Sequence, residues 1–130
     1  MNEDRRVEVE TRGAPAPVFA YSQGIRASGL LFVSGQGPVD AKTGEVPREF
    51  AGQVRRALDN VAAIAVAAGA SLRDAVRVGV YLADGGDFEV MDAVYREYFH
   101  EPFPARTTVV VSLQGIGVEI DAVIVVGGAG

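Results

Sequence analysis

The chain contains no cysteine, one lysine and one histidine, and its longest uninterrupted apolar run is Val61 to Ala68. Without cysteine there are no disulfides, no thiolate nucleophiles and no zinc-thiolate sites. The lone Lys42 sits in the turn-like "AKTGE", which argues against a Schiff-base enzyme, and the lone His100 has no second imidazole to share a metal with. A formal net charge of −5 opposes a broad phosphate-binding surface, so no nucleic-acid partner is expected. No run approaches the roughly 20 apolar residues that span a bilayer, and the opening "MNEDRRVEVE" is too charged for a signal peptide. The expectation is a cytoplasmic protein without a membrane partner. What remains is ample for one core: 130 residues, 48% apolar and 22% charged, read as a single domain.

The order of elements follows from pattern. Residues 5–10 read as a first strand, and after the turn "APAP" come two β-like segments, "VFAYSQGIRA" and "LLFVSG", joined at Ser28-Gly29 as a hairpin. The loop "QGPVDAKTGEVP" leads into "REFAGQVRRALDNVAAIAVAAGA". There Phe50, Val54, Leu58, Val61 and Ala65 recur at helical spacing, with Arg55, Arg56, Asp59 and Asn60 on the other side and Gly69 as the stop. "AVRVGVYLAD" reads as a strand and "GDFEVMDAVYREYFH" as a helix opened by Asp87. "ARTTVVVSL" and "VEIDAVIVV" read as closing strands. The order is ββ-α-β-α-ββ, an α+β fold with one mixed sheet and two helices on one face.

Parity then orients the side chains. In "VEIDAVIVV", Val118, Ile120, Ala122, Ile124 and Val126 form an apolar face, leaving Glu119, Asp121, Val123 and Val125 opposite. In "ARTTVVVSL", Thr107, Val109, Val111 and Leu113 share one face and Arg106, Thr108, Val110 and Ser112 the other. Turning the apolar faces to the helices predicts Arg106 and Glu119 on the outer side, beside uncovered valines that suit a partner subunit. If the two strands formed a direct hairpin, Arg106 and Glu119 would lie roughly 20 Å apart. A shared site needs an intervening strand or a neighbouring subunit.

"YSQG" at 21–24, "LFVSGQGPVDAKTGEVP" at 31–47, "LDNVAAIAVAAGAS" at 58–71, "FPART" at 103–107 and "VEIDAV" at 118–123 together resemble the RidA (YjgF) family of imine deaminases. The match covers the chain after residue 13, leaving 1–13 as a variable N-terminal strand or arm, and the closing "GGAG" at 127–130 reads as a frayed tail. The resemblance implies a chorismate-mutase-like fold forming a homotrimer with sites between subunits. It also implies cofactor-free hydrolysis of 2-imino acids and their enamine tautomers to 2-keto acids and ammonia. Arg106 matches the carboxylate-binding arginine and Glu119 the water-orienting glutamate. Tyr21, Ser34 and Gly35 match pocket-lining positions, and Phe88 and Thr108 would border the substrate side chain. Asp92 stands where well-known deaminases tend to have asparagine, and Thr108 where many have cysteine.

The chemistry fits those roles. A guanidinium binds a carboxylate through two parallel charge-assisted hydrogen bonds, so an arginine with no neighbouring acid in sequence suits an anionic substrate. A carboxylate can take and return the protons that hydration of a C=N carbon requires. The bland readings are a solvated strand-end arginine, a core tyrosine and loop chemistry at Ser34-Gly35. Other candidate functions are a specialised pathway deaminase and a non-enzymatic trimer that binds small anions. A ribonuclease is the weakest reading, since the chain is acidic and lacks a histidine pair.

Overall fold

A computed structural model describes residues 5–127. Residues 1–4 of the expected arm and 128–130 of the expected tail lie outside the described residues. The strands are β1 (Val7–Val9), β2 (Gly24–Ala27), β3 (Leu30–Gln36), β4 (Ala75–Leu82), β5 (Ala105–Val110) and β6 (Val118–Val125). The helices are α1 (Phe50–Ala67), between β3 and β4, and α2 (Phe88–Tyr98), between β4 and β5. The sheet runs β1-β2-β3-β6-β4-β5 and is antiparallel except for the parallel pair β4–β5. The expected α+β order holds, and the first strand read at residues 5–10 is present as the short β1 at one edge of the sheet. Among the described residues no helix is long and apolar enough to cross a membrane.

Local chemistry explains the boundaries. Ser28 and Gly29 both have positive φ, 54° and 77°, as a two-residue hairpin between β2 and β3 requires. At the end of α1, Gly69 adopts φ 80°; its N–H donates to Val66 O and that of Ala70 to Ala65 O, at 2.9 and 2.8 Å. This double closure satisfies carbonyls that the helix would leave bare. α2 ends with the Phe99 N–H donating to Tyr95 O, and His100 beyond it is exposed.

The core lies between the helices and one sheet face. Leu31 and Val33 from β3, Val118, Ile120, Ala122 and Ile124 from β6, and Val78, Val80 and Leu82 from β4 are all buried. Against them pack Val54, Leu58, Val61 and Ile64 of α1 and Met91, Val94 and Tyr95 of α2. The face predicted for β6 is thus the one observed.

Three expectations need correction. Val18 to Gln23 form no strand. Instead the buried Gln23 amide accepts from Thr11 N–H and donates to the carbonyls of Thr11, Ala14 and Pro15, pinning a loop that leaves Phe19 82% exposed. Asn60 does not share the solvent side of α1 but is fully buried, donating to the carbonyls of Gly37 and Val39 at 3.0 and 2.9 Å. Those loop carbonyls have no strand partner, and the amide supplies one. Asn60→Ala should therefore lower unfolding free energy by about 2 kcal/mol, read as a lower urea midpoint at unchanged slope.

The third correction concerns β5. Its parallel register sets Arg106 beside Val78, Thr108 beside Val80 and Val110 beside Leu82, so these three side chains point to the helix side. Thr107 and Val109 point outward, Thr107 accepting from Arg77 Nη1 at 3.1 Å. The face of β5 with more apolar residues is nevertheless the outward one, because the strand is a sheet edge with no fully dry side, and there apolar count alone does not fix orientation. Phe32, Val109 and Val125 remain exposed on the outer face.

Candidate functional site

Arg106 enters β5 under the first half of α2. Its Nη1 donates to Asp92 Oδ1 at 2.8 Å, while Asp92 Oδ2 accepts from Arg96 Nε at 3.2 Å. The guanidinium carbon of Arg106 stands 4.6 Å from the Tyr95 ring centre and 5.5 Å from that of Phe88. Arg96 lies 5.5 Å over the Phe103 ring, and a cleft of about 290 Å³ opens between Asp92, Tyr95, Arg96, Phe103, Pro104 and Arg106. Thr108 follows on the same face of β5. The arginine that lacks a carboxylate beside it in sequence thus has one in the fold, fourteen residues away on another element. Sequence reasoning missed Tyr95 and Arg96 as site residues, although Asp92 and Arg96 hold the i,i+4 spacing of a helical ion pair.

Arg106 and Asp92 are 20% and 27% exposed, so water screens the pair only partly. The Arg106 bond holds the Asp92 carboxyl below its ordinary 3.8, with Arg96 adding to the shift and desolvation opposing it. A folded-state pKa below the unfolded value contributes stability above about pH 4, and that contribution is lost as pH falls through 3.8 and below. Asp92→Asn should consequently lose less stability than wild type between pH 5 and pH 3, measured by urea unfolding at each pH.

A second cluster lies on the outer face. Glu119 of β6 lies against Gly35, where β3 shifts register between Val33 and Gln36; a Cβ at Gly35 would run into the Glu119 carboxylate. Beside it, Ser34 Oγ donates to Ser22 O at 2.6 Å and the Ser34 N–H to Gln23 O at 2.9 Å. These bonds tie β3 to the loop that carries Tyr21, which is 49% exposed. Tyr81 is directly opposite Glu119 on β4, and its hydroxyl donates to Asp121 at 2.8 Å, a bond that raises the Tyr81 pKa. Parity places Asp121 on this face but gives no sign of Tyr81. Gly35→Ala should displace the Glu119 carboxylate from its seat on β3, as a crystal structure of the variant would show.

The sequence-predicted residues therefore gather as two half-sites. Arg106, Asp92, Phe88 and Thr108 are on the helix side near the β5 edge, and Glu119, Gly35, Ser34 and Tyr21 belong to the outer side around β3 and β6. Glu119 aligns with Tyr81 and Tyr81 with Val109, so Arg106 is two strands across and three residues along. That separation is about 14 Å between backbones, with the side chains on opposite faces. An intervening strand exists, but it does not unite the pair.

Fold and site define a class: a small α+β protein with a cation cluster under one edge of its sheet and a glycine-seated carboxylate on the other face. The profile described as Endoribonuclease L-PSP matches residues 11–126, and the chain belongs to this family, the YjgF/RidA family. It is 47% identical over 116 residues to a RutC family protein of Pyrococcus horikoshii, covering 87% of this chain and 92% of that one. It is 41% identical over 122 residues to the 2-iminobutanoate/2-iminopropanoate deaminase of Escherichia coli K12, covering 90% and 95%. Among solved structures, E. coli TdcF with bound serine superposes with a TM-score of 0.88 at 35% identity, covering 93% and 99%.

Proposed function

We propose that this protein hydrolyses 2-imino acids and enamines of the 2-aminoacrylate, 2-iminopropanoate and 2-iminobutanoate type to 2-keto acids and ammonia. The sites lie between subunits of a homotrimer. The observation that carries this reading is the division of the site: Arg106 and Glu119 face opposite sides of one sheet, each with its own supporting side chains. A second copy placing its outer face against the β5 edge brings the two together. The E. coli relative named as an imine deaminase supports the reaction type.

Each residue then has a task. Arg106 takes the substrate carboxylate on guanidinium nitrogens not engaged by Asp92, with Phe88 and Tyr95 flanking its plane. Glu119 of a second copy takes a proton from water as the water oxygen bonds the carbon of the protonated C=N group, whose π electrons move onto nitrogen. The same carboxyl then protonates the amino nitrogen of the carbinolamine. The C–N bond breaks with its electron pair leaving on ammonia, and the hydroxyl oxygen becomes the keto oxygen as its proton passes through the Glu119 carboxylate to the departing ammonia. An enamine substrate first takes a proton on carbon to become the imine.

The test is to generate 2-iminopropanoate or 2-iminobutanoate in situ with an amino-acid oxidase and follow hydrolysis against semicarbazide trapping. Wild-type protein should reduce semicarbazone formation in proportion to its concentration. Semicarbazone yields unaffected by wild type for both imines would remove the proposal.

A further inference from the structure

We infer that Asp92 is a specificity-determining residue whose carboxylate receives the nitrogen of the substrate, so that the site takes α-nitrogen carboxylates as zwitterions in preference to plain carboxylates. This rests on the site being the one that binds imino acids. The half-buried part of the cluster is not a lone cation but an ion pair, Arg106 and Asp92 with 2.8 Å between Nη1 and Oδ1. Two opposite charges side by side are complementary to a ligand that carries the reverse pair on neighbouring atoms. A protonated 2-imino acid does so, because the carbon that bears its nitrogen also bears its carboxylate. A carboxylate that hydrogen-bonds Arg106 brings that nitrogen to the neighbourhood of the oxygens that Arg106 itself contacts.

The alternatives fit less well. A simple anion on Arg106 would set two carboxylates against one shared guanidinium, a like-charge contact that weakens binding. Arg96 is 63% exposed and its charge is screened, so it does little to offset that contact. A dicarboxylate with its second acid on Arg96 would meet the same Asp92 carboxylate, whose Oδ2 is already bonded to Arg96. A protonated nitrogen instead gains the Asp92 carboxylate, which its short bond to Arg106 keeps in place. This arrangement also favours the iminium form, the one that water attacks most readily.

Calorimetric titration with L-serine and L-glycerate separates these cases, since the two differ in an ammonium against a hydroxyl on the same skeleton. The wild-type protein should bind L-serine at least ten times more tightly than L-glycerate, and Asp92→Asn should bring the two affinities to within about a factor of two. Asp92→Ser gives the same readout should the amide variant not fold. A serine-to-glycerate ratio unchanged by the substitution, or no serine binding by folded wild-type protein, would overturn the inference. Imine hydrolysis measured on the same preparations separates the two readings. A ratio that shifts as expected without any hydrolysis removes the reaction and leaves the role of Asp92 intact.

Discussion

Arg106→Ala is expected to lower kcat/KM for 2-iminobutanoate by about 100- to 1000-fold while leaving the fold intact. In the proposed reaction the guanidinium supplies charge-assisted hydrogen bonds to the substrate carboxylate, and losing such a group typically costs about 3–4 kcal/mol at the transition state. The helix side of the sheet survives the change because the core runs through Val78, Val80 and Leu82, which do not depend on Arg106. Arg106→Lys should recover only a small part of the loss, since a single ammonium cannot hold Asp92 and a planar carboxylate together. Steady-state kinetics on both variants, with thermal melts as a control, makes the comparison. Wild-type kinetics in a folded Arg106→Ala protein would refute the assigned role.

Glu119→Gln has the second largest expected effect: turnover should slow by about two to four orders of magnitude, with KM staying within a few-fold of wild type. The amide fills the same space over Gly35 and keeps hydrogen-bond capacity, but it cannot accept and return a proton. The split between kcat and KM distinguishes this residue from Arg106, whose loss affects binding as well as turnover. A Glu119→Gln protein that lost affinity but kept its turnover rate would assign the carboxylate to binding instead.

Much of the fold is legible in the sequence because its strongest patterns belong to elements with one wet and one dry side. α1 announces itself through Val54, Leu58, Val61 and Ala65, and β6 through its unbroken apolar alternation. The parity argument misorients β5 for a physical reason: an edge strand has no fully dry face, so Val109 and Val110 stand exposed on opposite sides. Asn60 looks like a surface residue because helical spacing cannot report that an adjoining loop needs its amide. At the site, the resemblance names Arg106, Glu119, Gly35 and Ser34, and the residue types themselves suggest their chemistry. The pairing of Arg106 with Asp92 is illegible, because a contact between a strand and a helix fourteen residues apart leaves no mark on either segment. Tyr81 opposite Glu119 is equally silent, since a tyrosine in a strand is an ordinary core choice.

The central claim is that one catalytic site draws Arg106 from one copy and Glu119 from another. Equal amounts of the Arg106→Ala and Glu119→Gln proteins, each nearly inactive alone, are mixed, unfolded together and refolded, and the imine hydrolysis rate is measured. Random association gives half of the sites an intact Arg106 and half of those an intact Glu119, so about a quarter of the wild-type rate should return. A mixture as inactive as its components would contradict the claim, because both residues would then have to serve from the same chain.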